Sequence, residues 1–181
     1  MQYSVKHPED LSDKEVGLIL KSWEIKSWLG LDAAGFRLKF KDSEFHFLEI
    51  DDKVVSLARI NFDFKLEIQG KSHCFAELVG LVSLEKAKGY ARILLSEIVT
   101  GLSERQIQTI GFCKSELRPF YEKNNIRILY GKGSFITEFD SHQWIDSDDD
   151  DILLVNISEE NLTILQNLSE RNKAVFDRSG Y

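Results

Sequence analysis

The stretch Cys74-Phe75-Ala76-Glu77-Leu78-Val79-Gly80-Leu81-Val82, continued by Ser83-Leu84-Glu85-Lys86-Ala87-Lys88-Gly89-Tyr90-Ala91, decides how the rest of the chain is read. Its first part is almost wholly apolar, the pattern of a central strand covered on both faces. The second part carries Glu85, Lys86 and Lys88 and a glycine, and beyond it Leu94, Leu95, Ile98, Val99 and Leu102 recur as the buried stripe of a helix. A strand, a basic glycine-containing loop and a helix thus follow one another. Such a loop turns backbone N–H groups and the positive end of the helix dipole towards an anion, for which pyrophosphate is the usual guest. A glycine ahead of a helix more often marks a plain turn, so the loop alone does not identify a site.

Glu77 is the one charge in the apolar strand. It reads in two ways. A carboxylate can reach the surface or pair with a nearby lysine; alternatively it stands in a cleft, where desolvation raises its pKa and makes it a usable base near neutral pH.

Upstream, Ser12-Asp13-Lys14-Glu15 matches a capping box, and Val16, Ile19, Leu20 and Trp23 follow at helical spacing, which predicts an amphipathic helix from about Leu11 towards Trp28. Beyond Gly35 the period changes to two. Phe45 and Phe47 read as a strand, Asp51-Asp52-Lys53 as a turn, Val54 to Ile68 as a long strand and Gln69-Gly70 as a second hairpin turn. Downstream, Ile107 to Cys113 reads as a strand, Ser115 to Asn124 as a helix with Leu117, Phe120 and Tyr121 on one face, and Ile126 to Tyr130 as a strand. Pro119 is tolerable in the first turn of that helix. Gly131 and Gly133 turn the chain into Phe135-Ile136-Thr137, and Asp146-Ser147-Asp148-Asp149-Asp150-Asp151 reads as a solvated acidic loop. Ile152 to Ile157, Glu159 to Leu168 and Lys173 to Phe176 are predicted as strand, helix and strand. The organisation is read as a single α/β (α+β) domain over residues 1–181.

Composition bounds the function. The 181 residues are 43% hydrophobic and 29% charged, enough for a core that removes roughly 70% of the unfolded surface from water. Cys74 and Cys113 have no Cys-x-x-Cys spacing and are read as reduced thiols, and His7, His46, His73 and His142 are too scattered to hold a metal. A net charge of −7 argues against a nucleic-acid binder and favours a cationic partner. The N-terminus lacks an apolar signal core, and no apolar run approaches the roughly 20 residues needed to cross a bilayer. A cytoplasmic protein without a membrane partner is expected.

The order of elements from residue 45 to residue 131 resembles the GCN5-related N-acetyltransferase (GNAT) family. Lys86-Ala87-Lys88-Gly89-Tyr90-Ala91 is similar to the family's Gln/Arg-x-x-Gly-x-Gly/Ala loop, with Lys86 keeping the charge of the first position but not the guanidinium fork. Tyr121, in Arg118-Pro119-Phe120-Tyr121, stands where the family has a tyrosine ahead of a Gly-aromatic pair, and Asn125 replaces the glycine. Within the family the chain looks most like the aminoglycoside 2′-N-acetyltransferases. The spacing from Glu77 to Lys86, the run Gly111-Phe112-Cys113-Lys114-Ser115 and the ending Asp177-Arg178-Ser179-Gly180-Tyr181 carry that likeness.

The resemblance implies a mixed, mostly antiparallel central sheet flanked by helices and splayed at an acetyl-CoA slot. It implies that backbone groups of Val79 and Leu81 pair with the pantetheine arm, and that the loop of Lys86, Ala87, Lys88, Gly89, Tyr90 and Ala91 holds the pyrophosphate. Glu77 would be the base, placed by period two on the face of Val79 and Leu81, and Tyr121 the acid that donates to the departing sulfur. Cys113, Ser115 and Tyr181 would touch the acceptor. The implied activity is acetyl-CoA-dependent N-acetylation of a small cationic amine, with an aminoglycoside-like amino sugar as one candidate, no metal, and a homodimer as one candidate assembly. A protein or peptide N-acetyltransferase and a non-catalytic acyl-CoA sensor are the alternatives.

Overall fold

The computed structural model describes residues 1–25, 28, 30–140 and 143–177, the side chains of residues 140, 143–146 and 177 excepted. Tyr181 and His142 lie outside the described residues. The elements run β1 (Gln2–Lys6), α1 (Asp13–Trp23), α2 (Ala33–Lys39), β2 (Ser43–Ile50), β3 (Lys53–Ile68), β4 (Lys71–Ser83), α3 (Tyr90–Glu104) and β5 (Thr109–Cys113). They continue as α4 (Arg118–Lys123), β6 (Arg127–Leu129), β7 (Ile136–Asp140), β8 (Gln143–Asp146), β9 (Asp151–Val155), α5 (Glu159–Gln166) and β10 (Ala174–Asp177). The fold is mixed α/β with a mostly antiparallel sheet flanked by helices, as the sequence predicts. Two compact units are present, one of Met1–Phe62 with Leu78–Ile98, the other of Asp63–Glu77 with the chain from Val99 onward, so that β3, β4 and α3 each contribute residues to both.

In the first unit β1 pairs antiparallel with β2, and β2 with β3, whose hairpin turns on Asp51 and Asp52. Both have positive φ (49° and 60°), the condition of a type I′ turn, which matches the twist of the strands it joins. Phe45, Phe47 and Leu57 pack with Leu11, Val16, Ile19, Phe36 and Phe40 from the helical side. α1 begins as the capping box predicts: the Ser12 hydroxyl accepts from the Glu15 N–H, while the Glu15 carboxylate accepts from the Ser12 N–H and pairs with Lys6 at 2.6 Å.

The second unit orders its strands β6-β9-β5-β4-β3-β10-β7-β8. Phe64, Leu66, Ile68, Phe75, Ile110 and Ile152 belong to its core, which α5 completes with Leu162 and Leu165. The division shows along β3 itself. From Val55 to Asn61 every residue is buried, whereas Phe64, Leu66 and Ile68 alternate with exposed Asp63, Lys65 and Glu67, so one face is solvated there.

Four expectations are corrected. The first half, read as entered by the helix from about Leu11, is entered instead by β1, because an edge strand of five residues is specified by its partner β2 and not by its own pattern. The helix predicted to Trp28 ends at Trp23, where Glu24 turns left-handed at φ 50°. Ala33–Lys39 forms α2, started by the Asp32 carboxylate accepting from the Gly35 N–H, so Gly35 lies inside a helix and does not mark the change to strands. The acidic run is a solvated loop only in part: Ser147 to Asp150 lie outside any strand and Asp148 is exposed, but Asp151 is fully buried and opens β9.

That burial depends on a close approach. A Cβ on Gly133 would lie 2.7 Å from the Asp149 carbonyl oxygen and 2.8 Å from the Asp151 nitrogen, both rigid backbone atoms. Gly133→Ala is therefore expected to lower stability by about 1–3 kcal/mol. Gly17→Ala, inside α1 with nothing near its added carbon, should instead raise it by about 0.5–1 kcal/mol. Denaturant unfolding of the two variants measures both; an unchanged Gly133→Ala midpoint would show that residues 149–151 give way.

Candidate functional site

β4 carries the predicted strand, but its regular extension breaks at Gly80, whose φ is +67°. A positive φ turns the adjoining peptide planes out of the pleat. The Gly80 carbonyl accepts the indole N–H of Trp23 at 2.7 Å, and a Cβ at Gly80 would fall 2.5 Å from the same ring. Two carbonyls further along the strand's course, Val82 accepts from the Ser56 hydroxyl at 2.7 Å, and the Leu84 N–H donates to Val55 at 2.9 Å. The break has a consequence for register. Period two relates Glu77 to Val79, but it does not carry on to Leu81, because Gly80 between them is not extended. Glu77, Val79, Gly80 and Leu81 are all half-buried, less enclosed than an uninterrupted apolar run predicts.

The loop that follows is exposed from Leu84 to Gly89, with positive φ at Ala87 (61°) and Gly89 (77°). The Ser83 hydroxyl donates to the Glu85 carbonyl and tightens its entry. α3 starts at once: the first helical bond runs from the Ile93 N–H to the Gly89 carbonyl at 3.2 Å, leaving the amides of Tyr90, Ala91 and Arg92 in a first turn that supplies no acceptor for them. The predicted stripe anchors this helix, with Leu94, Leu95, Ile98 and Leu102 buried. Val79, Leu81 and the whole Lys86–Ala91 loop thus lie in the first unit.

The second unit gathers Cys113, Ser115 and Tyr121 around the acidic run. α4 is only six residues long and closes on a Schellman motif: the Ile126 N–H donates to Tyr121 and the Asn125 N–H to Glu122, with Asn125 left-handed at φ 57°. Arg118 forks onto Asp151, Nε to Oδ2 at 2.5 Å and Nη2 to Oδ1 at 2.7 Å, and the Gly131 N–H also donates to Oδ1 at 2.8 Å. The Asp150 carboxylate accepts the Ser115 N–H at 2.7 Å, and the Asp150 N–H donates to the Cys113 carbonyl. Ser115 is exposed; Cys113 and Tyr121 are buried. Burial, reinforced by the neighbouring carboxylates, pushes the Cys113 thiol up to about 11, and burial with the fields of Cys113 and Asp149 pushes the Tyr121 phenol up to about 12. Tyr121, protonated near neutral pH already at the ordinary value of 10, is held further from ionisation by these surroundings.

Sequence reasoning missed Trp23, Gly80, Arg118 and Asp151. A lone glycine inside an apolar strand was a readable sign of a bulge. Nothing local marked the other three, whose partners lie 57 and 33 residues away. Among the described residues no cluster of His, Cys, Asp and Glu is arranged to hold a metal ion.

The Arg118 fork holds the Asp151 carboxylate below its ordinary value of 3.8. A depressed carboxylate contributes stability that is present above the ordinary value and lost as pH falls through the folded one. Asp151→Asn should cost on the order of 3 kcal/mol at neutral pH and flatten the acid loss of stability below about pH 4. At the other end, raised Tyr121 and Cys113 contribute stability that is full below their ordinary values of 10 and 9 and is lost as pH rises towards about 12 and about 11. Tyr121→Phe should make that alkaline loss shallower. Unfolding free energies across pH test both, and an Asp151→Asn curve parallel to wild type would refute the fork's role.

No family model matches the chain, and no curated protein matches it in sequence. Solved structures do. The N-acetyltransferase PseH of Campylobacter jejuni, in complex with acetyl coenzyme A, is 14% identical over 87% of this chain and all of its own, with a TM-score of 0.55. The GNAT family N-acetyltransferase YhbS of Escherichia coli, in complex with CoA, is 13% identical over 97% of this chain and 88% of its own, with a TM-score of 0.60. The PaiA N-acetyltransferase of Thermoplasma acidophilum, in complex with coenzyme A, is 14% identical over 86% of this chain and 99% of its own, at 0.54. At such identities the likeness is one of fold, and the fold this chain shares with them is that of the GNAT acetyltransferases.

Proposed function

We propose that the chain is an acetyl-CoA-dependent N-acetyltransferase acting on a primary amine of a small cationic acceptor, an aminoglycoside-like amino sugar being one such class. The observation that carries this reading is the sequence of backbone features in one unit: a strand broken at Gly80, an exposed loop turning left-handed at Ala87 and Gly89, and a helix opening at Tyr90. Amides of the loop and of the first turn of α3 suit a pyrophosphate, and the exposed Lys86 and Lys88 add a screened attraction. Backbone groups of Val79 and Leu81 are the candidates for the pantetheine arm, taken up like an added strand. That the solved relatives were crystallised with acetyl coenzyme A or coenzyme A supports the choice of co-substrate.

In this reading the amine nitrogen attacks the acetyl carbonyl, and its proton passes to Glu77 through a water. The carbon–sulfur bond then breaks, and the departing sulfur takes the proton of Tyr121, giving the N-acetylated amine and coenzyme A. Tyr121 is protonated near neutral pH, as a donor must be, although its raised pKa makes it a weaker acid. A thiolate leaves fairly well unaided, so this acid contributes no more than about 10²-fold. Ser115, exposed beside Asp150, is the candidate for contact with the acceptor; Cys113, being buried, would support it from below, and Tyr181 is retained as a further acceptor residue.

Thiol release from acetyl-CoA is the test, across aminoglycosides, polyamines and peptides, beside a thermal shift with acetyl-CoA alone. Turnover on a cationic small molecule is the expected result. A thermal shift without turnover on any amine would indicate the sensor, and no shift would overturn the reading. Gly89→Val, at a left-handed φ, should remove acetyl-CoA binding. Glu77→Gln should slow turnover most below neutral pH, where the amine needs help in losing its proton, and an unchanged rate and pH profile would exclude Glu77 as the base.

A further inference from the structure

We infer that Trp23 is a positioning residue for the acyl-CoA-facing part of β4, setting the direction in which the Leu81 N–H is offered; this rests on the acetyltransferase reading. The Gly80 carbonyl and the Leu81 N–H belong to one planar trans peptide and point to opposite sides of it. Whatever fixes the carbonyl therefore aims the amide. In β4 that carbonyl is fixed by a side chain from outside the sheet, the Trp23 indole N–H at 2.7 Å.

The ring also enforces the break sterically. Its atoms Cε2, Cζ2 and Nε1 stand 2.5–2.6 Å from where a Cβ on Gly80 would be, so the indole occupies the space that any other residue would need. Trp23 is itself held. It is the last residue of α1, ahead of the left-handed Glu24, and its ring meets Trp28 edge-on at 5.7 Å and Phe45 at 6.2 Å. The orientation of one peptide in β4 is thereby tied to the residue that ends α1.

Two substitutions separate the hydrogen bond from the packing. Trp23→Phe keeps an aromatic body and removes the donor. Trp23→His keeps an N–H at the equivalent ring position, since the imidazole Nε2 and the indole Nε1 both stand two bonds from Cγ, and removes the benzo ring. Acetyl-CoA affinity is read by titration calorimetry at pH 8 on the full chain, and Tm is read without ligand. Trp23→Phe is expected to bind about tenfold more weakly and Trp23→His within about threefold of wild type, even though Trp23→His has the lower Tm. A purely structural tryptophan gives the opposite order, with affinity following Tm, and that order would overturn the inference. Trp28→Phe gives a comparison that does not depend on Trp23→His folding: it should lower Tm while leaving affinity within about twofold. If wild type binds acetyl-CoA and Trp23→Phe binds equally well, the inference fails and the acetyltransferase reading stands. If wild type does not bind acetyl-CoA, both fail.

Discussion

A strand with neighbours on both edges is normally extended throughout, and β4 departs from that at Gly80, whose carbonyl takes the Trp23 indole N–H. The departure is held from several sides. Gln69 and Gly70, both left-handed, close the hairpin that sets β4 against β3, so the register before the break cannot slide. After the break the Ser56 hydroxyl takes the Val82 carbonyl and Val55 takes the Leu84 N–H, so the register beyond it is pinned to β3 as well. The irregularity is confined to a short span, and the Trp23 indole fills it. Glycine takes this positive φ without strain, so the break costs the backbone little.

The legible parts of the fold were those whose cause is local. Ser12 and Glu15 lie three residues apart and cap each other, Asp51-Asp52 and Gln69-Gly70 turn where turn residues stand, and Leu94, Leu95, Ile98 and Leu102 face one way because a helix repeats every 3.6 residues. Asn125 in place of glycine at the end of α4 was read in its left-handed role for the same reason. The illegible parts have distant causes. β1 is a strand because β2 lies beside it, and α2 is placed by Phe36, which packs with Phe40 just beyond the helix and with Phe45 of β2. Of the candidate site, the loop and α3 were local and readable, whereas Trp23 at Gly80 and Arg118 at Asp151 join residues that no window of sequence holds together.

The acidity of the chain also takes on a different meaning. A run of aspartates suggests an exposed rim that gathers cations, yet Asp151 is buried against Arg118 and Gly131, and Asp150 is engaged by the Ser115 N–H. Their effect is local. The charges of Asp149 and Asp151 oppose ionisation of the buried Cys113, and that of Asp149 opposes ionisation of Tyr121. A cationic acceptor therefore cannot be argued from the net charge of −7 alone, since part of that charge is already used in folding the second unit.

Local structure set by backbone geometry is compatible with a chain sharing a fold with proteins only 13–14% identical to it while no family model matches it. An amide in a loop or in the first turn of a helix is offered by any residue except proline, so side chains there are free to differ provided φ and ψ are kept. Ala87, for example, takes a left-handed φ of 61° without being a glycine. The demands that do reach the sequence are few and steric. One is Gly80 under the Trp23 ring, and another is Gly133 against the backbone of residues 149–151. The first of these pairs a glycine with a tryptophan 57 positions away, a relation that a profile scoring each position separately does not register.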